Sequence, residues 1–162
     1  MKPLFVGENN PYQPANPPPG VTREAFEARL RHYAFYPRPK TASGYRLMSI
    51  LGLDERVYLA AFDRVDLCHP KWSLPKARIA AGRLVHERGV GDVIVACGSK
   101  VAQAFEQKFT PFTIVNGGVI LVMLPHPSPL CRIWHEDGAV ERARAVLTQA
   151  GVLPVQLAQL SA

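Results

Sequence analysis

The residues in this chain best equipped for chemistry cluster in Leu124-Pro125-His126-Pro127-Ser128-Pro129-Leu130-Cys131-Arg132. That stretch carries an imidazole (His126), a hydroxyl (Ser128), an apolar tip (Leu130) and a cation (Arg132). Such a set can polarise a carbonyl, hold a phosphate and press into a base stack. Prolines 125, 127 and 129 fix φ and remove backbone donors, so the segment is a stiff loop that cannot continue a sheet. A second group is Gly7-Glu8-Asn9-Asn10-Pro11-Tyr12, where Asn-Asn-Pro favours a turn. A third, Phe62 to Pro70, holds two carboxylates, Asp63 and Asp66. A fourth, Phe35-Tyr36-Pro37-Arg38-Pro39-Lys40, mixes rings with cations, a pairing suited to stacking on bases and neutralising phosphates. Each has a plainer alternative: a surface turn, an ordinary loop with partly buried rings, or an ion pair of Asp63 or Asp66 with Arg64 or Lys71.

Something must position these groups. Pro3–Gly7 is a short apolar run ended by glycine and reads as a first strand. Gln13–Gly20 is proline-rich and reads as a stiff connector. Thr22 can cap a helix from Arg23 to about Tyr33, with Phe26 and Leu30 at i, i+4 spacing. A second helix runs from about Ala42 to Leu51 and ends at Gly52. Val57–Ala61 reads as strand two, which places Asp63 and Asp66 near its end. Ser73 caps a helix with proline in its first turn that continues to about Arg88. Asp92–Cys97 is strand three. The Gly98-Ser99 turn opens a helix from about Lys100 to Gln107 and lacks a phosphate-binding glycine pattern, so it is read as structural. Phe112–Val115, Asn116-Gly117 and Val119–Leu124 form a hairpin with a primed turn, whose second arm is strand four. Asp137 caps a last helix, Gly138–Ala150.

Strands alternating with helices imply parallel, right-handed crossovers. The expected fold is therefore a three-layer α/β/α sandwich with a central, mainly parallel four-stranded sheet, in one domain spanning residues 1–162. The unusual loops follow strands one, two and four, so they should converge on one edge of the sheet, where open α/β sheets bind ligands.

Composition narrows the class. A chain of 162 residues with 48% hydrophobic and 20% charged residues is ordinary for a soluble globular domain. No apolar run is long enough to span a bilayer and no signal-peptide core is present, so a soluble cytoplasmic protein with no membrane association is expected. The three cysteines, Cys68, Cys97 and Cys131, are far apart. They argue against a disulfide framework and against a zinc or iron–sulfur site held by cysteines; no metal and no cofactor is expected. A formal charge of +6 makes a polyanion, most often nucleic acid, a plausible partner.

The His126-Pro127-Ser128-Pro129-Leu130 segment closely resembles the second motif of the uracil-DNA glycosylase superfamily. Gly7-Glu8-Asn9-Asn10-Pro11-Tyr12 is similar to its first motif, with one extra residue. Ser43–Leu53 and Val93–Phe105 extend the likeness in the order and spacing of that fold, over about two thirds of the chain. The cysteines that bind an iron–sulfur cluster in one branch have no match here.

The resemblance implies a monomeric enzyme that hydrolyses the N-glycosidic bond of uracil, or a 5-modified uracil, flipped out of single- or double-stranded DNA, the first step of base excision repair. It implies that His126 donates to the departing base's O2, that Asn10 orients the water, with Asn9 or Glu8 as alternatives, and that Tyr12 blocks the C5 position beside Gly7. Ser128, Pro129, Leu130 and Arg132 would contact DNA, with Leu130 as the wedge. Phe35 or Tyr36 would take the place of the stacking ring. The chain departs from the family after strand two, where an asparagine usually reads the base and only Asp63 and Asp66 are present. A carboxylate accepts from N3–H but cannot donate to O4 unless protonated; it could instead accept from an exocyclic amine, as on cytosine, or from a hydroxyl on a modified base. A non-catalytic lesion- or DNA-binding protein on the same fold is the alternative. A third, weaker reading is an enzyme of free nucleosides, which leaves Leu130 and the basic charge without a role.

Overall fold

The structure is a computed structural model that describes residues 1–9, 17, 20–28 and 33–154. Asn10 and Tyr12 lie outside them. Five strands form one sheet: β1 (Leu4–Asn9), β2 (Asp63–Cys68), β3 (Val93–Cys97), β4 (Thr113–Asn116) and β5 (Ile120–Leu124). Their order is β2-β1-β3-β5-β4. Every neighbouring pair is parallel except β4–β5, which is antiparallel. The sheet thus has five strands where four were expected. The first arm of the hairpin is a true edge strand, in register at Ile114↔Val122.

Two faces follow from the period-2 alternation of strands. Phe5, Val95, Cys97, Val122 and Leu124 face one core. That core is covered by α2 (Ser43–Leu51), α3 (Glu55–Ala61) and α6 (Ala139–Gln149). Leu4, Val6, Val65, Leu67, Ile94, Ala96 and Leu121 face the other, under α4 (Leu74–Glu87) and α5 (Ser99–Ala104). The result is an α/β/α sandwich. Phe5, Leu47, Leu51, Leu124 and Leu147 are fully buried, each worth about 1.5–3 kcal/mol of transfer free energy before chain entropy is set against it. No described helix is long and apolar enough to cross a membrane.

The strand order reverses at β1. From β1 the chain passes to β2 on one side, then crosses to β3 on the other. Such a switch point leaves a crevice at the carboxyl ends of the strands. Gly7–Asn9, Asp66–Cys68, Gly98 and the loop after Leu124 all meet at that edge, and Gly98 N–H donates to Leu124 O at 2.8 Å.

Several local expectations change. Val57–Ala61 is not a strand but lies within helix α3. Asp54 caps it, with Oδ1 accepting from Val57 N at 2.9 Å, and this closes the first turn before the apolar run begins. Strand two is instead Asp63–Cys68, so Asp63 and Asp66 are strand residues. β1 continues through Asn9, which puts Glu8 and Asn9 at a strand end rather than in a tight loop. Gly138, in a left-handed conformation (φ 73°), precedes α6 in place of an Asp137 cap. Ser73 precedes α4 without a side-chain cap bond. Thr22 does cap α1 (Arg23–Ala28), accepting from Ala25 N at 3.2 Å.

Candidate active site

A cavity of about 200 Å³ opens at the carboxyl edge of the sheet. Glu8 and Asn9 reach it from the end of β1, Asp66 from β2 and His126 from the loop after β5. Tyr33, Phe35 and Tyr36 form a wall of rings from the segment before α2.

Phe35 is held there against its backbone preference. Its φ is +47°, a conformation that costs a non-glycine residue about 1–3 kcal/mol. Two contacts over-determine it. Tyr58 Oη donates to Phe35 O at 2.9 Å in a buried bond. The first turn of α2 packs directly on the Phe35–Tyr36 backbone, and a Cβ on Gly44 would overlap both carbonyl oxygens. Only glycine fits at position 44. The Phe35 ring then lies 6.1 Å from the His126 ring, tilted by 49°.

Gly7 plays the same part on the sheet. A Cβ there would overlap Asp66 Oδ1 and come within 3.0 Å of Phe35 Cζ. The Asp66 carboxyl and the Phe35 ring therefore close over Gly7, in register with Asp66 across β1 and β2. Asp66 Oδ2 is buried with no hydrogen-bond partner among the described residues. Desolvation, with Glu8 adding like charge, pushes this carboxyl up to about 7. Burial is also the main reason that His126 is held below the ordinary imidazole value; Glu8 opposes the shift and Lys100 adds to it. The imidazole is therefore neutral at neutral pH, a form that can donate one N–H to a developing anion.

The rest of the loop is fixed from outside. Trp134 Nε1 donates to His126 O at 2.9 Å, from a 3-10 turn over Arg132–His135. Ser128 Oγ accepts from Leu130 N at 3.2 Å, which turns the chain so that Leu130 projects, 90% exposed. Pro129 borders a groove of about 220 Å³ with Lys40 and Arg46. Arg132, at the start of the 3-10 turn, is exposed.

Of the residues singled out from sequence, Glu8, Asn9, Phe35, Tyr36, Asp66 and His126 meet at the cavity, with Gly7 beneath. Asp63 does not. It pairs with Leu4 at the opposite end of β1 and binds Arg88 at 3.1 Å. The ion-pair alternative thus fits Asp63, though with Arg88 and not with Arg64 or Lys71. Arg64 donates instead to Tyr58 O and Phe62 O.

Sequence reasoning missed Lys100, on the first turn of α5. Its Nζ lies 3.1 Å from Glu8 Oε2 and 5.9 Å above the Trp72 ring. No spacing rule links positions 8, 72 and 100; the pairing of β1 with β3 on one side and β2 on the other brings their strand ends together. Among the described residues no group of three or more His, Cys, Asp or Glu has the arrangement of a metal site. Searches of protein-family models, of curated proteins and of solved structures found no match to this chain.

Proposed function

We propose that this protein is a DNA glycosylase that hydrolyses the N-glycosidic bond of a uracil-type base extruded from DNA. The observation that carries the reading is a base-sized cavity in which a neutral imidazole, an acid and a stacking ring converge, beside an exposed leucine on a stiff loop. At about 200 Å³ the cavity is smaller than the roughly 300–1,000 Å³ typical of sites for larger ligands, and suits a single pyrimidine.

The chemistry follows from the placement. Extruding a base takes a few kcal/mol, and Leu130 fills the gap it leaves. The base slides against Phe35. The C1′–N1 bond breaks with its electron pair leaving on the base, where charge collects on O2. His126 donates to that oxygen, an interaction stronger in the transition state than before it. Water adds to C1′ of the oxocarbenium-like sugar. Its proton passes to Glu8, whose carboxylate is steadied by Lys100. Asn9 uses Nδ2 in a long 3.4 Å bond to Pro70 O, leaving its Oδ1 to orient the water; Asn10 is the other candidate for that task. Lys40, Arg46 and Arg132 supply cations for the phosphates flanking the extruded nucleotide.

The test is single-turnover incubation with a single-stranded oligonucleotide bearing one uracil, followed by alkali. Cleavage at the uracil with release of the free base supports the reading. Salt-sensitive binding with no base released favours a non-catalytic DNA-binding protein instead. Release of bases from free nucleosides but not from DNA would point to a nucleoside hydrolase.

A further inference from the structure

β2 stands at the end of the sheet, with β1 as its single neighbour. Asp63 N donates to Pro3 O at 3.0 Å, so Asp63, Val65 and Leu67 turn their backbone N–H and C=O toward β1. Alternation along the strand then points those of Arg64, Asp66 and Cys68 outward, and no described residue bonds them. A groove of about 310 Å³ runs along this open edge. One wall is the consecutive run Val65 to His69, which marks it as the edge of the strand and not one of its faces. The other wall is Ala80, Arg83, Leu84 and Glu87, a single side of α4 at i, i+3, i+4, i+7 spacing. Arg83 and Glu87 are exposed, and neither has an ion-pair partner among the described residues. Arginine four residues before glutamate is the weaker order for a pair within one helix. A row of open backbone donors and acceptors is a template for another strand, and the two opposite charges beside it select which strand.

We infer that β2 and α4 form the surface on which a second copy of this chain docks, about a two-fold axis perpendicular to the sheet, so that two sheets join through antiparallel β2 strands. Only outward-pointing residues exchange backbone bonds across such a junction, which allows the axis to centre on Val65, Asp66 or Leu67. Centring on Asp66 opposes two acids and is disfavoured. The helices choose between the other two. α4 runs back along β2, and just past its end Arg88 binds Asp63 at 3.1 Å. From Asp63 to Val65 is about 6.6 Å of strand, or about four residues of helix, which brings an axis at Val65 level with Leu84. Arg83 and Glu87 then lie on either side of it. The two-fold sets Arg83 opposite the partner's Glu87, and Glu87 opposite the partner's Arg83. An axis at Leu67 would lie level with about Ala80 and leave both charges on one side. A surface carrying both signs at this spacing is self-complementary, as an isologous interface requires. Antiparallel joining points the two cavities in opposite directions and leaves both open. The resemblance implies a monomer; the inference rests on the strand edge and stands apart from the proposed function.

Sedimentation velocity of the full chain between about 1 and 200 μM should show a species of twice the chain mass at the upper end. Arg83→Glu and Glu87→Arg each place like charges across the axis and should raise the dissociation constant about tenfold or more. The double variant Arg83→Glu/Glu87→Arg restores the opposition and should return it to within about threefold of wild type. Amide exchange followed by NMR reads the strand edge itself. The Arg64 and Asp66 N–H groups should be protected in concentrated protein and exchange faster on dilution, while that of Val65, turned toward β1, stays protected throughout. A monomer at every concentration overturns the inference and leaves the edge to a strand from another protein. A dimer indifferent to both charge reversals, or one in which the Arg64 and Asp66 amides exchange alike in dilute and concentrated protein, overturns it in favour of another surface. Should a reversal fail to fold by its melting curve, the exchange pattern of the wild type decides alone.

Discussion

His126 and Asp66 are the two residues whose properties depend most on where the fold puts them. Neither is unusual in sequence, and both are displaced from ordinary titration by burial. Under the proposed function the consequence for His126 is catalytic. His126→Ala should lower single-turnover release of uracil by about 10²–10³, the usual effect of deleting one donor to a developing anion, while DNA affinity measured by anisotropy stays within a few-fold. For Asp66 the consequence extends to stability. An acid raised from 3.8 to about 7 binds its proton more tightly in the folded state. Its folded state is therefore favoured most below pH 3.8, and stability is lost as pH rises from there through 7. At about 1.4 kcal/mol per unit the full loss is at most about 4 kcal/mol. Asp66→Asn removes the titrating group, so its chemical-denaturation midpoint should exceed that of the wild type by more at pH 8 than at pH 5. Equal differences at the two values would contradict the burial argument.

At the scale of elements, the alternation of strands and helices was legible, and so was the convergence of Glu8, Asn9 and His126 at one edge. The hydrophobic runs at 4–6, 93–97 and 120–124 are flanked by glycine, proline or polar turns, which leaves little choice. Val57–Ala61 differs from the strand its pattern suggests because a five-residue apolar run suits a buried strand and a short helix equally. The deciding signal was Asp54 followed by Glu55, a cap and a first-turn acid. The strand Asp63–Cys68 is masked in the sequence because Arg64 and Asp66 interrupt its apolar pattern. In the fold they alternate with Val65 and Leu67: Arg64 donates to the Tyr58 and Phe62 carbonyls, and Asp66 lines the cavity. The contact of Gly44 with Phe35 has no sequence signal, since it joins segments through close approach rather than through spacing. It makes a prediction of its own. Gly44→Ala should force the α2 N-terminus off the Phe35–Tyr36 backbone, destabilise the protein by about 1–3 kcal/mol as overpacking does, and reduce base release more than Ala substitution at the exposed Ser49. Thermal melts and release assays on the two variants check this.

Over the whole molecule, a formal charge of +6 and the Lys40 and Arg46 cations of the groove beside Pro129 fit a polyanion laid across this face. If three or four phosphates are neutralised there, DNA affinity should fall on the order of 10²-fold between 50 and 200 mM salt, as a titration series would show. A change of less than about threefold would argue that the charge serves something else. Leu130 projects from the loop that also carries His126, and under the proposed function it is the wedge that fills the gap left by the extruded base. Leu130→Ala should slow release from duplex DNA by about tenfold or more, while leaving release from single strands, which need no wedge, nearly unchanged. The most direct measurement remains alkaline cleavage of a uracil-bearing single strand after one turnover. Wild-type protein should cut at the uracil and liberate the base, and His126→Ala should not do so on the same timescale. Intact DNA with bound wild-type protein, or equal cleavage by both, would contradict a glycosylase built around His126.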